Sequence, residues 1–120
     1  MKKALGVIPA RYASSRFPGK ALAELAGKPL LQWVYEAAAR SASLDRLIIA
    51  TDDQRIYQRS LDFGAETVLT SPHHPSGTDR VAEVARKFNH QLIINIQGDE
   101  PLLHSSMIDA LVTALQEENV

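Results

Sequence analysis

Three cations fall close together near the start of the chain: Arg11, Arg16 and Lys20, within the stretch IPARYASSRFPGKAL from Ile8 to Leu22. Around them stand the small residues Ala13, Ser14 and Ser15 and a Pro18-Gly19 turn, with little that is apolar to pack. Guanidinium groups suit bidentate contact with phosphate, and the backbone N–H groups of small residues in a bent loop add donors. Such a loop can cradle a compact polyanion. The competing reading is a solvated basic turn, since cations are commonly exposed. The stretch is neither Gly-x-Gly-x-x-Gly nor a Gly-Lys-Ser/Thr P-loop, so the usual dinucleotide and kinase-type phosphate sites do not apply.

A second group is Gln97-Gly-Asp-Glu-Pro101. Asp99 stands just past a strand-like apolar run, Leu92–Ile96, where a carboxylate has little reason to be unless it meets a cation. Mg²⁺ commonly binds through one or two carboxylates plus substrate phosphates, which makes it the natural partner. A Gly-Asp turn is the plainer alternative. Asp52 and Asp53 offer further carboxylates, although Asp53 is also placed to cap the helix that follows. Ser76-Gly77-Thr78 precedes a helical pattern and supplies either a cap or N-terminal donors for an anion or a base. His73 and His74 are adjacent and so point apart, and no further spacing supports zinc; they read as loop imidazoles. Trp33 and Tyr35 read as helix packing.

These residues need elements to hold them. Ala4–Ile8, Leu47–Thr51 and Leu92–Ile96 are near-continuous apolar runs, the pattern of strands buried on both faces of a parallel sheet, and Thr67–Leu69 is a shorter β-rich run. Helical spacing appears in Leu30, Leu31, Val34, Tyr35 and Ala38, in Val81, Val84, Ala85 and Phe88, and in Met107, Ile108, Leu111, Val112 and Leu115. Arg55–Phe63 is a weaker helix, with Gly64 as its stop; Gly27-Lys28-Pro29 leads into the first helix. Alternating strands and helices predict βαβ units with right-handed crossovers, an α/β fold of Rossmann-like type with three layers and a mostly parallel sheet. Ligands of such sheets bind beyond the carboxyl ends of the strands. All four polar loops above fall there.

Composition narrows the possibilities. The chain has 120 residues, net charge −1 with both signs interspersed, 45% hydrophobic residues and no cysteine. One domain, or a piece of one, is expected. No bulk field points to nucleic acid or to an anionic membrane, so neither is expected as a partner. A disulfide framework, a thiolate metal site and a cysteine nucleophile are excluded. The apolar run after Met1-Lys2-Lys3 is too short for a signal peptide, and no stretch approaches the roughly 18 apolar residues of a membrane span. A cytoplasmic location is expected.

Taken in order, Ile8-Pro-Ala-Arg11, Ser15-Arg16, Pro18-Gly-Lys20, Gly27-Lys28-Pro29, Ala50-Thr-Asp-Asp53, Ser76-Gly-Thr-Asp-Arg80 and Gln97-Gly-Asp-Glu-Pro101 resemble the 3-deoxy-manno-octulosonate cytidylyltransferases. The likeness covers essentially the whole chain. The first block is shared with the sialate cytidylyltransferases; the last two are more particular to the enzymes of 3-deoxy-manno-octulosonate (Kdo). The resemblance implies a nucleotidyltransferase fold and a reaction in which the anomeric hydroxyl of Kdo attacks the α-phosphorus of CTP, giving CMP-Kdo and pyrophosphate for lipopolysaccharide assembly. It implies Arg11, Arg16, Lys20 and Asp99 as catalytic, Ala10, Ser76, Gly77, Arg80 and Gln97 as substrate-binding, Asp99 as the Mg²⁺ ligand, and a homodimeric full-length enzyme. Members run to about twice this length, so residues 1–120 are expected to be the N-terminal nucleotide-binding part, truncated and inactive alone. A sialate or other sugar cytidylyltransferase and a non-catalytic nucleotide-binding remnant are the alternative readings.

Overall fold

The computed structural model describes residues 4–12, 19–98 and 104–118. Arg16 and Asp99 lie outside them. At the centre is β1 (Ala4–Ala10), flanked by β4 (Leu44–Thr51) and β6 (Leu92–Asn95), with β5 (Thr67–Leu69) beyond β4. The order is β5-β4-β1-β6 and each neighbouring pair is parallel. Alternate side chains of the apolar runs part to opposite faces. Ala4, Ile8, Ile49, Leu92 and Ile94 enter one core, which α1 (Leu30–Ala39), α2 (Gln54–Asp62) and α4 (Ser105–Glu118) cover with Leu31, Val34, Ile56, Ile108 and Val112. Leu5, Val7, Ile48 and Ala50 enter the other, under Val81 and Val84 of α3 (Gly77–Ala85). The expected three-layer α/β fold with a parallel sheet is what forms. Leu5, Ile8, Ile48 and Ile49 are fully buried. Each contributes about 1.5–3 kcal/mol relative to exposure, and cutting one to alanine costs about 2–5 kcal/mol.

Local chemistry sets the element ends. The Asp53 carboxylate caps α2, accepting from the N–H groups of Arg55 and Ile56 at 2.8 and 3.1 Å. Gly64, at φ 89, ends the same helix; its N–H donates to Leu61 O and that of Ala65 to Ser60 O, both at 3.0 Å. Ser76 caps α3 through the Asp79 N–H at 3.3 Å.

The structure moves the bounds of several expected elements: α4 runs beyond Met107–Leu115 at both ends, and β6 stops at Asn95 rather than Ile96. β1 continues past Ile8 because its pairing with β4 runs on to Ala10 and Thr51, whereas its pairing with β6 ends at Val7 and Asn95. β4 begins at Leu44, its first residues Asp45 and Arg46 being exposed and so without an apolar pattern. α3 begins at Gly77 rather than Val81, since its first turn is polar and held by the Ser76 cap. One element is new. β2 (Glu24–Leu25) and β3 (Lys28–Pro29) form a hairpin whose turn residues Ala26 and Gly27 both take positive φ, 52 and 85. It is tied to α1: the Trp33 indole N–H donates to Leu25 O at 2.6 Å, and Lys28 Nζ meets Glu36 at 2.8 Å.

Candidate functional site

At the carboxyl ends of β1 and β6, Ala10, Arg11, Lys20, Gly77 and Gln97 line one cavity of ≈ 250 Å³, with Pro9, Ala21 and Gly98 completing its wall. Arg11 continues from β1 and is exposed. Lys20 comes from a short 3₁₀ turn, Lys20–Leu22, entered through Gly19 in the left-handed region. Gly77 is the first residue of α3, so the N-terminal amides of that helix, with their partial positive charge, open on the same space. The set joins two cations and a helix N-terminus, which suit phosphate oxygens, to a carboxamide that both donates and accepts, which suits a planar base edge.

Two glycines shape this cavity around Pro9. A Cβ at Gly77 would come within 3.3 Å of Pro9 Cγ, and one at Gly98 within 3.2 Å of Pro9 O and 3.3 Å of Ile8 Cγ2. Glycine at both positions lets these backbone segments pack closely against the end of β1. Pro9, Ala21 and Gly98 were not legible as site residues; the glycine inside Gln97-Gly-Asp-Glu-Pro101 was the available signal. At ≈ 250 Å³ the cavity is smaller than the roughly 300–1,000 Å³ of a whole small-molecule pocket.

Ser76 and Arg80 stand apart from that wall. Ser76 acts as the α3 cap, its hydroxyl also donating to Asp79 Oδ2 at 2.7 Å. Arg80, only 1% exposed, turns toward the ends of β4 and β5. Its Nη1 donates to the Thr70 hydroxyl and to Ser71 O at 3.2 Å, and lies 3.7 Å from Asp52 Oδ1. It lines a second cavity of ≈ 260 Å³ together with Asp52, Asp53, Arg55 and His74, and Arg11 borders both spaces.

Around the second cavity Asp53, Arg55, His74 and Arg80 each face an opposite charge. Asp53 meets Arg55 at 2.7 Å; that ion pair, helped by the backbone N–H groups of Ile56 and Arg55, holds its carboxyl below the usual aspartate range. Glu83 accepts from the Ser71 N–H at 3.0 Å and lies 2.7 Å from His74 Nε2, which together lower its pKa. Among the described residues no group of three His, Cys, Asp or Glu side chains could hold a metal ion. No helix there is long and apolar enough to cross a membrane.

Residues 5–120 match the family model for cytidylyltransferases. The chain belongs to the cytidylyltransferase family. Among its curated relatives, a 3-deoxy-manno-octulosonate cytidylyltransferase of Leptospira biflexa serovar Patoc is 58% identical over 109 residues, covering 90% of this chain and 44% of the relative. One from Solibacter usitatus is 55% identical over 117 residues, 98% of this chain and 46% of the relative. A solved CMP:2-keto-3-deoxy-manno-octonic acid synthetase, complexed with CTP, superposes with a TM-score of 0.95 at 42% identity, covering 99% of this chain and 49% of that one. This cytidylyltransferase chain thus spans about half the length of the relatives it matches.

Proposed function

We propose that this chain forms the nucleotide-binding part of an enzyme that transfers CMP from CTP to Kdo. The observation that carries this reading is the 58% identity to the Leptospira biflexa 3-deoxy-manno-octulosonate cytidylyltransferase. The cavity at the ends of β1 and β6 supports it, because its two cations and its carboxamide fit the two ends of a nucleoside triphosphate. In the reaction the anomeric hydroxyl of Kdo forms a bond to the α-phosphorus of CTP, the bond to the β-phosphate oxygen breaks, and the hydroxyl proton is released with pyrophosphate. Such a transfer needs neutralised phosphates and an aligned alcohol rather than a covalent nucleophile.

On this reading Arg11, Arg16 and Lys20 bind the triphosphate, while Ala10, Gly77 and Gln97 receive the cytosine. Ser76 acts by fixing the start of α3, and Arg80 by holding the loop before it. Mg²⁺ belongs to the same proposal. Gln97 and Gly98 line the cavity and Asp99 follows them in the chain. One carboxylate and the nucleotide's own phosphates are a usual Mg²⁺ ligand set, and the ion would offset developing phosphate charge. A cytoplasmic homodimer supplying CMP-Kdo to lipopolysaccharide assembly completes the reading.

The test has two arms. Calorimetry of the 120-residue chain with Mg²⁺ should show CTP bound in preference to GTP, and equal affinities would sink the base assignment. Grafted in place of the matching segment of the Leptospira biflexa relative, the chain should support pyrophosphate release with Kdo and not with sialate. In that graft Lys20→Ala should lower kcat about 10²–10³-fold, the usual loss of one preorganised charge-stabilising donor.

A further inference from the structure

Tyr12 and Gly19 are held together, and α2 holds both. The Gly19 N–H donates to the Tyr12 carbonyl at 2.6 Å. Gly19 takes φ 76, and a Cβ there would sit 3.1 Å from Cε2 and Cζ of the Tyr12 ring, so the glycine backbone lies flat against the tyrosine. The Arg55 guanidinium also packs on this ring, with Cζ 3.3 Å from its centroid. Arg55 is itself gripped by Asp53, Nη2 donating to Oδ2 at 2.7 Å and Nε to Oδ1 at 3.2 Å. Asp53 is fixed in turn as the α2 cap. The result is one continuous series of contacts, Asp53 to Arg55 to Tyr12 to Gly19.

Its position gives it a use. Arg11 precedes Tyr12 and Lys20 follows Gly19, and these are the two cations that line the first cavity. An exposed ion pair on a helix surface contributes little by itself, and the Arg55 side chain is 59% exposed. What Asp53 does for Arg55 is aim it: the exposed guanidinium is held over one face of the tyrosine ring. Fixing two like charges at one separation before a polyanion arrives removes an ordering cost from binding.

We propose that Tyr12 and Arg55 are positioning residues that set the separation of Arg11 and Lys20. The proposal rests on the reading of those two cations as phosphate ligands. The test measures amide exchange at Gly19 by NMR and CTP affinity by calorimetry with Mg²⁺, both on the 120-residue chain. Tyr12→Ala and Arg55→Ala should each speed Gly19 exchange at least tenfold and weaken CTP about five- to tenfold, with the double variant no weaker than the worse single one. Tyr12→Phe keeps the ring and should stay within twofold of the parent in both measurements. Unchanged far-UV circular dichroism separates this from unfolding, and exposed Arg55 is a safe position for it. An Arg55→Ala chain with parental Gly19 protection and parental CTP affinity overturns the proposal. If the parent takes up no CTP while the alanine variants still expose Gly19, the positioning role stands and the phosphate reading falls.

Discussion

Arg80 has the largest side chain among the fully buried residues described, and it is the only charged one. Its Nη1 is bonded to Thr70 and Ser71 and Asp52 stands nearby, but Nε has no hydrogen-bond partner among the described residues. Hydrogen bonds to a charged group contribute about 1.5–3 kcal/mol, set against the desolvation of the guanidinium. We expect Arg80→Ala to lower the unfolding free energy by about 2–4 kcal/mol in urea titrations, with Arg80→Lys intermediate. An alanine variant as stable as the parent would mean that desolvation cancels the bonds. Residue types were legible at this scale and directions were not. The resemblance implies substrate binding for Ser76 and Arg80 alike, but a side chain as long as arginine can turn under the neighbouring strands. Asp53 was the reverse case: a carboxylate just before a helical pattern is a cap on local grounds alone, and it is one.

The segment between β5 and α3 is an element held by side chains rather than by a ladder. Glu83, reaching back from α3, accepts from the Ser71 N–H and faces His74, with Lys87 at 3.9 Å on its other side. These contacts depress its pKa in the folded chain, so its contribution is present above the ordinary glutamate range and is lost as pH falls through the depressed value. Asp53 behaves in the same sense. Thermal midpoints measured from pH 7 down to pH 3 should therefore fall on the acid side, and Glu83→Gln should flatten that fall. A Glu83→Gln chain with the parental acid profile would remove Glu83 from the account. β1, β4 and β6 were legible because buried parallel strands are near-continuously apolar, short β5 by its β-rich residues, and the four helices because helix faces repeat. The β2–β3 hairpin was not, since two-residue strands are too short to show a period. Its turn gave little warning either, because alanine rarely takes the positive φ that Ala26 adopts here.

At the scale of the whole molecule, β6 is an edge strand among the described residues. No described strand pairs with β6 opposite β1. On α4, Met107 and Leu111 stand one turn apart and are 51% and 46% exposed. Exposed apolar side chains and an open strand edge each favour self-association. We expect light scattering of the 120-residue chain to show concentration-dependent growth that Met107→Lys with Leu111→Lys suppresses, and a parent that stays monomeric at all concentrations would refute this. Strand order also bears on synthesis. β1 is made first yet occupies the centre of the sheet, and its partners begin at Leu44 and Leu92. As the chain leaves the ribosome, the run from Ala4 to Ala10 has no strand to pair with until β4 has emerged, and its second edge stays open until β6 follows. This buried, apolar strand thus waits longest for its neighbours, and this is the interval in which a chaperone that recognises extended apolar segments would find it.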